Sequence, residues 1–179
     1  MKELLSQDWF QDYLKDKYDF EHDRRKFLYT QIAIYMGIIS FIFTIQIRFA
    51  EKFISGQNYP MVLFALWILS VLPLFLSLVF LGFALWPPTY MYLSPPSRFM
   101  NHAKDYYKIL TTSFKLSHQD AGKVIIEVEK KNLTEDLIKA SERNYKLNNI
   151  RSGHLARSSW FIAFAIFFSL LLAFIILIG

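Results

Sequence analysis

Hydrophobic and polar positions along the 179-residue chain fall into long blocks. Residues 27–47, 61–86 and 159–178 contain no Asp, Glu, Lys or Arg, so every charged side chain lies in the remaining segments. At a helical rise of ~1.5 Å per residue the three blocks extend roughly 31, 39 and 30 Å, each enough to cross a hydrocarbon core of ~30 Å. The pattern predicts an all-α membrane protein with three transmembrane helices and a helical cytoplasmic domain between the second and third, and it argues against a soluble globular domain. The expected order is a cytoplasmic amphipathic helix at 1–26, a span at 27–47, an external loop at 48–60, a span at 61–86, the cytoplasmic helical domain at 87–158 and a span at 159–178.

The first block opens after Arg24-Arg25-Lys26 and closes at Arg48, with cations placed to reach headgroups at both ends. It follows 26 residues rich in acids, a context foreign to a cleaved signal peptide. The second block runs between Pro60 and Pro87-Pro88, and its length calls for tilt or a bend. Pro73 is the hinge candidate there, because it has no N–H and its ring crowds the carbonyl of Leu69. Gly153, between Arg151 and Arg157, is the second hinge candidate.

Among the cytoplasmic parts, Trp9, Phe10, Tyr13, Leu14 and Phe20 recur at helical spacing among Asp12, Asp16, Asp19 and Asp23. That face reads as a membrane-surface helix or a brace, or else as a partner-binding element. A helix of three or four turns is expected after Pro95-Pro96. Ser117 and Asp120 fit a capping box that opens a further run. In that run Val124, Ile125, Ile126 and Val128 leave helix and strand in competition, and helix is preferred. A last helix is expected from Thr134 into the third span. Its positions 133, 137, 140, 144, 147 and 151 follow a seven-residue repeat that suits a packed intramolecular face better than an oligomer seam.

Charge supplies direction. Of the 20 Lys and Arg, six lie in residues 1–26, two in 48–60 and twelve in 87–158. Positive-inside then places the N-terminus and the long loop in the cytoplasm, with the C-terminus external. Lys139, Arg143, Lys146 and Arg157 share one side of the last helix. They suit an anionic-lipid contact, a phosphate-bearing ligand such as a cyclic nucleotide, or plain solvated charge.

Candidate chemistry is sparse. Cysteine is absent, the four histidines show no metal-ligand spacing, and no phosphate-cradling glycine loop or nucleophile elbow occurs. No metal, cofactor, nucleic-acid partner or catalytic residue is therefore expected, and the spans carry no membrane-depth charge of the kind ion-coupled carriers use. What remains is mild polarity inside the spans: Gln31, Ser40, Thr44, Gln46, Ser70 and Ser77 are candidates to line a path in an oligomer, with Ser169 in the third span. Ala33-xxx-Gly37 and Ala165-xxx-Ser169 permit close helix approach.

The basic entry RRKFL, the proline-rich exit WPP and the stretch LTEDLIKASERNYKLNNIRSGHLARSSW resemble small bacterial transmembrane effectors of nucleotide-signalling antiphage systems, the Pycsar and SLATT-type proteins. The resemblance implies an oligomeric, non-enzymatic effector that forms a pore or disrupts the membrane upon an infection signal. No separate nucleotide-sensing domain is recognisable, so the alternative is a non-conducting membrane anchor or sensor subunit that recruits a cytosolic partner protein.

Overall fold

The computed structural model describes residues 8–55, 60–86 and 89–178, and every regular element in them is helical. These are α1 (Asp8–Ile54), α2 (Met61–Leu85), α3 (Pro96–Thr112) and α4 (His118–Ile178). α1, α2 and α4 are each long and apolar enough to cross a membrane. The side chains of Trp9 and Phe10, and the Pro87-Pro88 pair, lie outside the described residues.

Two boundaries differ from the sequence expectation. The helix expected from Ser117 and the one expected from Thr134 form a single α4. Thr134 sits in mid-helix, its hydroxyl donating to the Lys130 carbonyl at 2.8 Å, rather than at an N-terminus. α1 also continues past Arg48 to Ile54, where Arg48 pairs with Glu51 at 3.4 Å one turn on, so much of the 48–60 loop is helical. The Ser117 box forms as expected: its Oγ accepts the Asp120 N–H at 3.2 Å and donates to the Asp120 carboxylate at 2.6 Å. The Val124–Val128 run is helix.

The chain divides into two compact units, Met1–Arg24 with Thr89–Leu147, and Arg25–Pro88 with Asn148–Gly179. α1 and α4 contribute to both.

In the first unit, Leu14 and Tyr18 of α1 pack on Leu137 and Ala140 of α4, with Met91, Leu93, Leu133 and Ile138 around them. Asn144 and Leu147 continue the buried stripe, which Thr134 and Ser141 widen. Pro96 opens α3, where a missing N–H costs nothing. Lys115, at φ 51°, turns the chain between α3 and α4.

The extended segment before α3 is tied to α4 by side chains, Ser94 donating to the Asp136 carboxylate at 2.8 Å and Asn144 holding Met91. Buried Asn144 accepts the Met91 N–H on Oδ1 and donates Nδ2 to the Met91 carbonyl, both at 3.0 Å, as a neighbouring strand would. Asn144→Ala leaves both backbone groups without a partner. It is expected to cost ~2–4 kcal/mol in a denaturant titration and to speed hydrogen exchange at the Met91 amide.

In the second unit three helices meet along seams whose buried positions fall three, four or seven apart. They are Leu28, Ile32, Ile39, Ile42 and Gln46 on α1, and Leu63, Ser70, Leu74, Ser77, Leu81 and Ala84 on α2. On α4 they are Asn148, Arg151, Leu155, Ser158, Ile162, Ala165, Ser169 and Leu172. That spacing is the left-handed coiled-coil register, in which a near-parallel crossing keeps one narrow stripe of each helix facing its neighbours. The outer surface is the greasier one: Phe27, Ile34, Phe41, Phe75, Phe164 and Phe167 are all exposed. Polar groups inside and large apolar groups outside invert the arrangement water selects, and suit a hydrocarbon surround.

Candidate functional site

The polar groups of the second unit gather in two places within its seam. The first takes one residue from each helix. Gln46 Nε2 donates to Ser169 Oγ at 2.6 Å, and Gln46 Oε1 accepts from Ser70 Oγ at 3.0 Å. Trp67 Nε1 donates to the Gln46 backbone carbonyl at 3.2 Å. Each serine is also tied to its own helix. Ser169 donates to the Ala165 carbonyl at 2.6 Å, and Ser70 shares its single proton between Gln46 and the Trp67 carbonyl at 2.7 Å. A glutamine amide has enough donors and acceptors to bridge two neighbours, which is why this residue type can join three helices at one level.

At the second place, Ser77 and Ser158 meet hydroxyl to hydroxyl at 2.7 Å, with Ser77 Oγ also 3.3 Å from the Ser158 carbonyl. Both are fully buried. Contact at that range brings α2 and α4 close together and is open only to small side chains.

Cations border the seam. Arg151 is buried, with its guanidinium carbon 4.9 Å from the Tyr29 ring centre, and Arg25 lies 5.5 Å from the same ring. Arg157 lies 5.8 Å from the centre of Phe80, which stacks on Phe161 at 5.5 Å. His154 sits against Phe80 and Phe83.

The six candidate path-lining residues therefore separate. Gln46, Ser70 and Ser77 face inward, and Gln31 is half-buried. Ser40 and Thr44 are exposed, their hydroxyls satisfied by the carbonyls of Met36 at 2.8 Å and Ser40 at 3.0 Å. Ser158 was missed in the sequence because it lies one residue outside the uncharged block. Its spacing of seven from Arg151 and Ala165 is the signal that marks it. Both hinge candidates lie inside unbroken helix, Pro73 in α2 and Gly153 in α4. The Ser70 hydroxyl turns to Trp67 and Gln46 rather than to the Leu69 carbonyl that Pro73 leaves without its usual donor.

Of the basic residues, Lys139, Arg143 and Lys146 are exposed in the first unit and Arg157 is exposed in the second. Lys139 is drawn to Glu135 at 3.9 Å. The first unit also holds a 270 Å³ cleft bordered by Glu129, Glu135 and Asp136 alongside Arg98 and His102. Its excess of carboxylates is unfavourable to a phosphate. Among the described residues no three or more His, Asp or Glu side chains are placed to hold a metal ion. Among the described residues, polar side chains of the seam make hydrogen bonds between helices. No family model matches the chain, and neither the curated proteins nor the solved structures compared with it gave a match.

Proposed function

We propose that the chain is a multi-pass protein of the bacterial inner membrane, N-terminus cytoplasmic and C-terminus external, that acts as an oligomeric effector in antiphage defence and opens or disrupts the bilayer upon a signal. The observation that carries this reading is the inverted second unit, whose polar seam is joined by Gln46, Ser70 and Ser169 under an apolar exterior. In the closed form Gln46, Ser70 and Ser169, and Ser77 with Ser158, find partners on neighbouring helices. Separation of the helices would replace those partners with water or with the same groups of another copy. α1 and α4 run unbroken from the first unit into the spans, which is the route for a signal received outside the bilayer.

Cells expressing the chain are expected to lose membrane potential upon phage challenge. Each seam hydrogen bond is worth under ~1 kcal/mol on the membrane-helix scale, so Gln46→Leu, which removes two that hold the closed packing, should raise ion leakage about tenfold. Steady potential in challenged cells, together with tight vesicles at every protein density, would sink the effector reading. Topology has its own check, since the native chain lacks cysteine. A cysteine at exposed Gln119 should react only with reagents that enter the cell.

The non-conducting anchor or sensor is favoured by one separate observation. The first unit has an apolar cleft of 770 Å³ lined by Leu93, Pro95, Phe99, Met100, Ile126 and Leu133. Unpaired apolar surface of that size outside the spans suits a protein partner. Co-purification of a stable partner that Met100→Glu abolishes, without conductance, would establish this reading instead.

A further inference from the structure

A smaller cleft of 140 Å³ opens between α1 and α4 of the first unit. Tyr13 and Tyr145, each about half exposed, stand on its sides, and Leu14 and Ile138 line it. So does Ser141, which is 3% exposed and whose hydroxyl makes no hydrogen bond. Several helical hydroxyls elsewhere in the chain return to a carbonyl one turn back, as Ser40, Thr44, Thr134 and Ser169 do. Ser141 does not, and a buried hydroxyl without a partner is costly unless something in the cleft completes it. Lys17 and Glu142 border the same cleft, one cation and one carboxylate, neither joined in an ion pair with another described residue.

We propose that this cleft binds a free aromatic amino acid with a polar group on its ring, of the tyrosine type. The ring lies between Tyr13 and Tyr145, its hydroxyl completes Ser141, and its carboxylate and ammonium meet Lys17 and Glu142. The volume guides the choice of ligand. The half-open cleft is close in size to a cavity of ~150 Å³ that takes a benzene ring, so a single six-membered ring fits within it and the amino-acid group lies at its mouth. Charge limits the choice, because one Lys balanced by one Glu gives a phosphate no net attraction but matches a zwitterion. Aromatic walls and a lone hydrogen-bonding group are the usual make-up of a small-ligand site. The assignment rests on these side chains and is independent of whether the spans conduct.

The test is equilibrium dialysis of radiolabelled L-tyrosine against the full chain in lipid nanodiscs. Saturable binding with a dissociation constant of ~1 mM or tighter is expected, the range open to a ligand of this size. L-Phenylalanine, lacking the ring hydroxyl, should bind ~3- to 10-fold more weakly, and Ser141→Ala should remove that difference. Tyramine, lacking the carboxylate, should also bind more weakly. Tyr145→Ala, at a surface position, should abolish binding of both amino acids while helix content by circular dichroism is retained; this variant decides the matter should Ser141→Ala misfold. Absence of saturable binding would overturn the proposal, as would equal affinity for tyrosine and phenylalanine, equal affinity for tyramine, or preferential capture of a nucleoside monophosphate.

Discussion

Ser77→Leu is expected to destabilise the second unit by ~2–3 kcal/mol, with Ser158→Leu close behind. The two hydroxyls touch at 2.7 Å with both residues fully buried, so no room exists for three further carbon atoms. The added bulk must push α2 away from α4, and the loss of contact spreads to Leu74, Leu81 and Ala165 in the same core. Ser77→Ala keeps the close approach and gives up one hydroxyl pair, for a cost under ~1 kcal/mol on the membrane-helix scale. Ser40→Leu and Thr44→Val change exposed hydroxyls that bond only within α1, so their effect should stay within ~0.5 kcal/mol. Unfolding in mixed micelles of detergent and SDS reads all five. A Ser77→Leu protein as stable as the parent would show that α2 and α4 do not meet at this level.

Leu137→Ala has the second large effect, ~2–4 kcal/mol on the first unit. Leu137 is 3% exposed and packs with Ala140 against Leu14 and Tyr18, so its truncation empties the centre of the contact between α1 and α4 in that unit. The surrounding residues sit on helices that extend well beyond the unit, which limits how far they can collapse into the space. Limited proteolysis within 8–24, together with hydrogen exchange of the same segment, should rise in the variant. The second unit's amides should keep their protection, because Leu137 has no part in its core. Unchanged protection of 8–24 would mean that α1 is held there by something other than the Leu14 and Tyr18 contact.

These two expectations rest on different kinds of legibility. Leu137 and Ala140 belonged to a seven-residue repeat visible in the sequence, since an apolar stripe in a polar segment stands out by contrast. In the spans that contrast vanishes. Nearly every residue of 61–86 is apolar, so periodicity cannot say which side of α2 faces a neighbour, and lipid accepts any of them. The informative residues there are the few polar ones. Their identities were legible, but their orientation was not: Ser40 and Ser70 are the same residue type in equally greasy surroundings, yet one faces outward and the other bonds to Gln46. Ser158 was hidden by its place at the end of a charge-bearing stretch.

What the amino-acid order determined by itself is the class of molecule. Three uncharged stretches of spanning length make helix the only economical way to satisfy the backbone in an apolar surround, and the capping box at Ser117 and Pro96 at the start of α3 set two helix beginnings by local chemistry. Tertiary structure decided the rest. It joined the helices expected at Ser117 and Thr134 into one, because a threonine can cap a helix or bond back to the preceding turn, and buried contacts, including the amide of Gln11 at 3.0 Å, select the second. It also decided which polar groups in the spans meet, since a hydrogen bond between residues more than a hundred positions apart, such as Gln46 to Ser169, depends on how the helices pack and not on any local preference.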